Sequence, residues 1–327
     1  MPPNLDDFSA DDLLLELRAR EEEEGAGDAG RAEDDPDDGD FLNPALADVD
    51  TDTLAGVLFE RQKVIYGTDD RKDIFEITDA ALLEDADCVV ALFAKGDVRD
   101  NGDGTSTLQT QQFGAANDLC RSEPFRTQPV GAFCSGFLVA PDVVVTAGHC
   151  VDPPSTPAVT DIRFVFGFRM ASATEPPAAI PNGEIYSGRE LLGKQLTQAG
   201  LDWAVVKLDR QVTGHRPAPV RRRRRVGQGA AVHVIGHPVG LPAKLAGGAI
   251  VRDNTPNPFF VANLDTYGGN SGSPVFNSRT HRVEGILVRG ERDFVASGDC
   301  TVSFVCPTTG CRGEDVTRIT KLAELIP

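Results

Sequence analysis

From about residue 85 to the C-terminus, short apolar runs alternate with turns rich in Gly, Pro and Asp, a pattern few folds accept. The clearest runs are 88–93, 162–168, 205–208, 231–235, 259–264, 274–276 and 283–288. Ile162, Phe164, Phe166 and Phe168 take every second position, so one face of that strand is buried. Many short strands divided by turn signals predict an all-β sandwich or barrel. Residues 314–326 break the pattern. Val316, Ile319, Ala323 and Ile326 fall at helical spacing, which predicts a C-terminal helix.

The first 63 residues are of another kind. They hold 20 acids and five Lys or Arg, a net charge of −15, whereas residues 64–327 sum to only −3. Ser9 and Asp12 predict a capped helix from Asp11 to about Glu24. Residues 21–40 have almost no apolar side chains and are expected to be disordered. The chain therefore divides into an acidic extension, 1–63, and a β unit, 64–327. The extension reads as a solvated tail, a pro-segment or a docking peptide for a regulatory partner. No broad basic surface points to nucleic acid, and no apolar run reaches membrane-spanning length.

Three stretches carry chemistry. Gly268-Gly269-Asn270-Ser271-Gly272-Ser273-Pro274 sets a serine between glycines. Such a turn leaves room beside the hydroxyl and can aim the Gly269 and Ser271 N–H groups at one point, as an oxyanion requires. Residues 134–150 read as a hairpin around Pro141-Asp142 that ends in Thr146-Ala147-Gly148-His149-Cys150. Leu201-Asp202-Trp203 opens an apolar strand with an acid. A carboxylate entering a buried strand needs a partner, and a histidine N–H is an obvious one. The set supplies a nucleophile (Ser271), a base (His149) and an orienting acid (Asp202). Of the other histidines, His233 and His237 read as structural. Asp100-Asn101-Gly102-Asp103-Gly104 reads as a hairpin turn, because it lacks the spacing and distal acid of a calcium loop. No metal or organic cofactor is expected.

In the regions 134–150, 201–208 and 264–290 the chain resembles the chymotrypsin-like serine peptidases. It is most similar to the bacterial glutamyl-endopeptidase-like (V8-like) branch, whose nucleophile motif is also Gly-Asn-Ser-Gly-Ser-Pro. The resemblance implies two packed six-stranded antiparallel β-barrels, a C-terminal helix packed on the barrel, and a serine endopeptidase acting on proteins or peptides through an acyl-enzyme. It also implies a disulfide between Cys134 and Cys150 beside the catalytic histidine. The resemblance makes Asp265 the floor of the primary specificity pocket, favouring Lys or Arg, with Thr266 and Arg289 at that pocket. Arg289 would either neutralise Asp265 or select acidic residues itself. The histidine with which the glutamyl branch reads an acid is replaced here by Leu287. Mature chains of that branch begin with an apolar pair like Val64-Ile65, which marks Lys63–Val64 as a processing bond. Neutral Asn270, where trypsin-like zymogens have Asp, argues against activation by an ion pair with a freed amine. The alternatives are a regulated protease of other specificity and a catalytically silent binding module.

Seven cysteines point to disulfides and an oxidising compartment, with at least one thiol left over. The N-terminus does not read as a signal peptide, so secreted, periplasmic and cytoplasmic locations all stay open. Arg221–Arg225 reads as a solvated loop, a dock for the acidic segment or a self-cleavage site.

Overall fold

The computed structural model describes residues 65–67, 69–177, 179–197, 200–289, 293–307 and 311–327, with seven isolated positions before residue 54. The expected helix at 11–24, the acidic stretch 21–40 and the Lys63–Val64 bond lie outside the described residues, apart from Glu16.

Twelve strands form the two barrels. The first holds β1 (Val89–Ala94), β2 (Cys134–Ala140), β3 (Val143–Thr146), β4 (Ile162–Val165), β5 (Ile185–Leu196) and β6 (Asp202–Leu208). They close in the order β4-β5-β6-β3-β2-β1. The second holds β7 (Ala231–Gly236), β8 (Lys244–Asp253), β9 (Phe259–Ala262), β10 (Pro274–Asn277), β11 (Val283–Arg289) and β12 (Glu314–Arg318). These run β7-β10-β11-β12-β9-β8 and close through a β7–β8 pairing. Counting six strands in each, the two barrels have the same connectivity: the first strand pairs with the second and fourth, and the third pairs with the sixth. Every barrel pairing is antiparallel. Closure removes free edges.

All seven apolar runs read from the sequence overlap these strands, although β4 ends at Val165 and β9 at Ala262, before the runs 162–168 and 259–264 do, and the hairpin at 134–146 is β2–β3. The turn at 100–104 joins two short strands, Val98–Asp100 and Thr105–Leu108, as expected of a hairpin. Val232, Val234, Ala246, Phe260, Val275, Leu287 and Val316 fill the second barrel. A larger cluster joins first-barrel residues such as Leu138, Val145 and Val205 to Ile235, Phe276 and Ile286 of the second. The barrels therefore share a buried seam, and the loops that meet there are held against one core.

The C-terminal helix is not present. Glu314–Arg318 is a strand hydrogen-bonded on both sides, and only a short 3-10 turn, Ile319–Lys321, follows. The helical spacing at 316–326 comes from a buried central strand running into a turn, with Val316, Ile319 and Ile326 all in the core. One helix the sequence reading did not anticipate, α1 (Ala80–Asp87), leads into β1. Its N-terminus is capped by Asp79, whose side chain accepts the Ala81 N–H at 2.8 Å.

The arginine run is put to structural use. Arg221 pairs with buried Glu284. Arg222 donates to the carbonyls of Ala323 and Ile326, at 2.9 and 2.6 Å. Arg225 reaches the carbonyls of Asn254 and Thr255, at 3.3 and 3.2 Å. These contacts pin the chain between the barrels to the C-terminal turn and to the loop after β8.

Candidate active site

His149, Asp202 and Ser271 converge at the seam from three separate stretches of chain. His149 opens a 3-10 turn just after β3, Asp202 starts β6, and Ser271 stands in the turn before β10. The Cys134–Cys150 disulfide ties the start of β2 to the residue after His149. Its two sulfurs are committed to each other, so they offer no thiolates to a metal beside that histidine.

Asp202 is 2 % exposed and fully used. Its Oδ2 lies 2.7 Å from His149 Nδ1, and its Oδ1 accepts the N–H groups of Gly148 and His149 at 2.6 and 3.1 Å. Burial pushes this carboxyl up, but the histidine charge and the hydrogen bonds outweigh burial and hold it below the ordinary range. The carboxylate can approach this closely because residue 148 is glycine. A Cβ there would stand 2.6 Å from the Gln195 carbonyl and 3.1 Å from Asp202 Oδ1. The sequence showed the acid and the histidine, but not that the acid grips the backbone of the loop carrying the imidazole.

The turn that carries Ser271 is clamped from the first barrel. Ser135 N–H donates to the Ser271 carbonyl at 2.8 Å. Ser135 Oγ donates to the Gly269 carbonyl and accepts the His237 N–H, both at 2.9 Å. Gly272 has φ +91, and a Cβ on it would lie 2.0 Å from the Ser135 carbonyl. Only glycine fits there. Ser135, one residue past Cys134, is a positioning residue that the sequence reading passed over.

His149, Gly269 and Ser271 line one cavity of about 420 Å³, together with Phe133, Cys134 and Val288. The residues expected at the specificity pocket are placed differently from one another. Asp265 is 4 % exposed, lies outside that cavity's lining, and accepts the N–H groups of Tyr66 and Asp70, at 2.7 and 3.1 Å. Burial and the neighbouring Asp265 carboxyl push Asp70 up to about 7. Thr266 is buried and donates to Glu314 at 2.9 Å. Arg289 Nε lies 3.7 Å from Asp315 Oδ2, and Arg289 is not among the residues lining that cavity. Asn270 is buried, with its side-chain oxygen facing Ser273 Oγ at 3.4 Å.

Residues 134–286 match the family model described as a trypsin-like peptidase domain. No curated protein matches the chain. Among solved structures, a Glu endopeptidase in complex with MPD is 16% identical, with 80% of this chain and 98% of that one covered and a TM-score of 0.45. The VesB protease of Vibrio cholerae is 13% identical, with 81% and 67% covered and a TM-score of 0.47. The Rv3671c protease of M. tuberculosis, in its active form, is 13% identical, with 80% and 87% covered and a TM-score of 0.43.

Proposed function

We propose that this chain is a trypsin-like serine endopeptidase, as the match of residues 134–286 to the trypsin-like peptidase domain supports, with Ser271 its nucleophile, His149 its general base and Asp202 the acid that orients the base. The reading is carried by the commitment of both Asp202 oxygens to the His149 loop. With Nδ1–H donating to Asp202, His149 is left with the tautomer whose Nε2 accepts a proton.

Ser271 Oγ adds to the scissile carbonyl while its proton passes to His149 Nε2. The Gly269 and Ser271 N–H groups receive the oxyanion. The imidazolium, steadied by Asp202, then protonates the leaving amine, and a water repeats the sequence on the acyl-enzyme. A fluorophosphonate is expected to label the protein at Ser271. Ser271→Ala should abolish labelling and lower kcat by roughly 10⁶-fold. Undiminished labelling of that variant would refute the assignment.

Cleavage after Lys or Arg is the substrate preference we favour. Asp265, Asp70 and Asp69 gather three carboxylates at that end of the nucleophile loop, and Arg71 pairs with Asp69. Asp265 is buried outside the cavity that His149 and Ser271 line and is held by Tyr66 and Asp70, so the preference rests on the charge gathered there rather than on a direct contact with the substrate side chain. A peptide-library cleavage profile tests this, and a preference for Glu or Asp at the cleaved position would overturn it. Residues 1–63 stand outside the peptidase unit in this reading, either as a pro-segment cut at Lys63–Val64 or as a docking tail for a regulatory partner. The N-terminal sequence of the native protein separates the two.

A further inference from the structure

A second group of ligand-type side chains lies away from the triad. Asp85, His233 and His281 place one carboxylate oxygen and two imidazole nitrogens within 4.8 Å of one another. His233 Nε2 is 3.0 Å from Asp85 Oδ2, and His281 Nδ1 is 2.6 Å from the same oxygen. The three residues come from three elements. Asp85 sits on α1, which leads into the first barrel. His233 is on β7 of the second barrel, and His281 is in the turn between β10 and β11.

Each residue is held as a ligand would be. Asp85 is the one buried residue of α1, a helix whose leucines stay partly exposed. A helix that buries a carboxylate in place of its apolar side chains needs a cationic or donor partner to offset the desolvation. The His233 ring stacks on Phe276, with centroids 5.2 Å apart, and its Nδ1 faces Ser278 Oγ at 3.1 Å. Without an ion, Nε2–H donates to Asp85; when Nε2 turns its lone pair to an ion, Ser278 Oγ can take the hydrogen bond from Nδ1–H, which is how metal-bound histidines are set from behind. His281 sits at φ +53, a left-handed conformation that a non-glycine residue adopts at a cost. That backbone directs its ring toward Asp85. Asp85 and His281 also line a cavity of about 250 Å³ that reaches Glu84, Cys88, Ala218 and Thr280, giving solvent a way in.

We propose that Asp85, His233 and His281 form a three-ligand site for Zn²⁺ or a similar borderline divalent ion, with water from the adjoining cavity as a fourth ligand. Two imidazoles and one carboxylate suit such an ion, whereas Ca²⁺ and Mg²⁺ prefer all-oxygen sets. Ligands about 2.0–2.2 Å from a tetrahedral ion stand somewhat farther apart than hydrogen-bond partners, so a small outward movement of the half-buried His281 admits the ion. No bond is made or broken in the chain. Any proton between Asp85 and the two rings moves to the far ring nitrogens or to solvent. The ion would tie α1 to both β7 and the turn after β10, whose opposite end follows the nucleophile turn. The site would therefore staple the two barrels on residues that share nothing with the Ser271 cavity.

The full chain, freed of metal with a chelator, should be titrated with Zn²⁺ by calorimetry and with Co²⁺ by visible absorption. We expect one equivalent to bind with the intense absorption of four-coordinate Co²⁺, and Zn²⁺ to raise the thermal midpoint. His281→Ala removes the most exposed ligand with the least risk to folding. It should weaken binding at least tenfold and cancel the thermal shift, and Asp85→Asn should do the same. Absence of stoichiometric binding to the unmodified chain would overturn the proposal. So would affinity unchanged in both variants, or affinity lost in His149→Ala while kept in His281→Ala, which would place the ion at the triad.

Discussion

Asp202→Asn is expected to lower kcat roughly 10⁴-fold while the protein stays folded and its KM changes little. The reason lies in how the carboxylate is shared. Oδ1 receives two backbone N–H groups, from Gly148 and His149, and Oδ2 receives His149 Nδ1. An asparagine has one oxygen and one NH₂ to fill those places. Turning the NH₂ toward the two backbone donors would oppose donor to donor twice in a buried site, so the oxygen keeps that side. The NH₂ is then forced onto His149 Nδ1, which must accept. That puts the imidazole proton on Nε2, where the base needs a lone pair. The geometry survives and the proton transfer fails. Burst kinetics with an activated ester would locate the loss in acylation. A variant with near-normal kcat would show that Asp202 does not set the tautomer.

The three residues proposed as a triad were legible in the sequence because each stands in a short local motif: a glycine-flanked serine, a strand ending in Thr-Ala-Gly-His, and an acid opening an apolar strand. The barrels were legible where strands are apolar on one or both faces. They were illegible where that signal breaks down. β5 is largely exposed and carries two register shifts. β8 holds a Gly247-Gly248 pair and two more shifts. β12 buries all five residues of Glu-Asp-Val-Thr-Arg. Three of those polar side chains have partners elsewhere, Glu314 taking the Thr266 hydroxyl, Asp315 pairing with Arg312 and Arg318 reaching Asn254. Nothing in the local pattern announces such partners, so the segment took on the look of a helix. The pocket residues show the same limit. Asp265 is claimed by Tyr66 and Asp70, each nearly 200 positions away along the chain. Long-range hydrogen bonds of this kind decide what an acid is free to do, and only the folded chain brings them into view.

The second large effect is expected at Lys244, a residue with no motif around it. Its side chain is 1% exposed and faces Asp73, itself 4% exposed, directly across the pairing of Lys72–Asp73 with β8. All three ammonium hydrogens are used: besides Asp73, Nζ donates to Gln128 Oε1 at 2.7 Å and to the Pro242 carbonyl at 3.0 Å. Gln128 in turn donates to the other Asp73 oxygen at 2.8 Å. Burial pushes Lys244 down to about 8 against the pull of Asp73, which leaves it charged at neutral pH. Lys244→Met keeps the stem and removes the charge. Asp73 is then a buried carboxylate without its cation, and breaking one side of such a pair costs about 3–5 kcal/mol. Denaturant unfolding should show that loss. Because the strand at Lys72–Asp73 continues the segment that holds Asp265 through Tyr66 and Asp70, peptidase activity should fall with it. The double variant Lys244→Met/Asp73→Leu removes both charges and should recover most of the stability, since a buried pair replaced by apolar groups is often neutral. A loss under about 1 kcal/mol in the single variant would mean the pair behaves as an exposed one. It would also mean that water reaches a site where the ammonium, the carboxylate and the Gln128 amide otherwise satisfy one another.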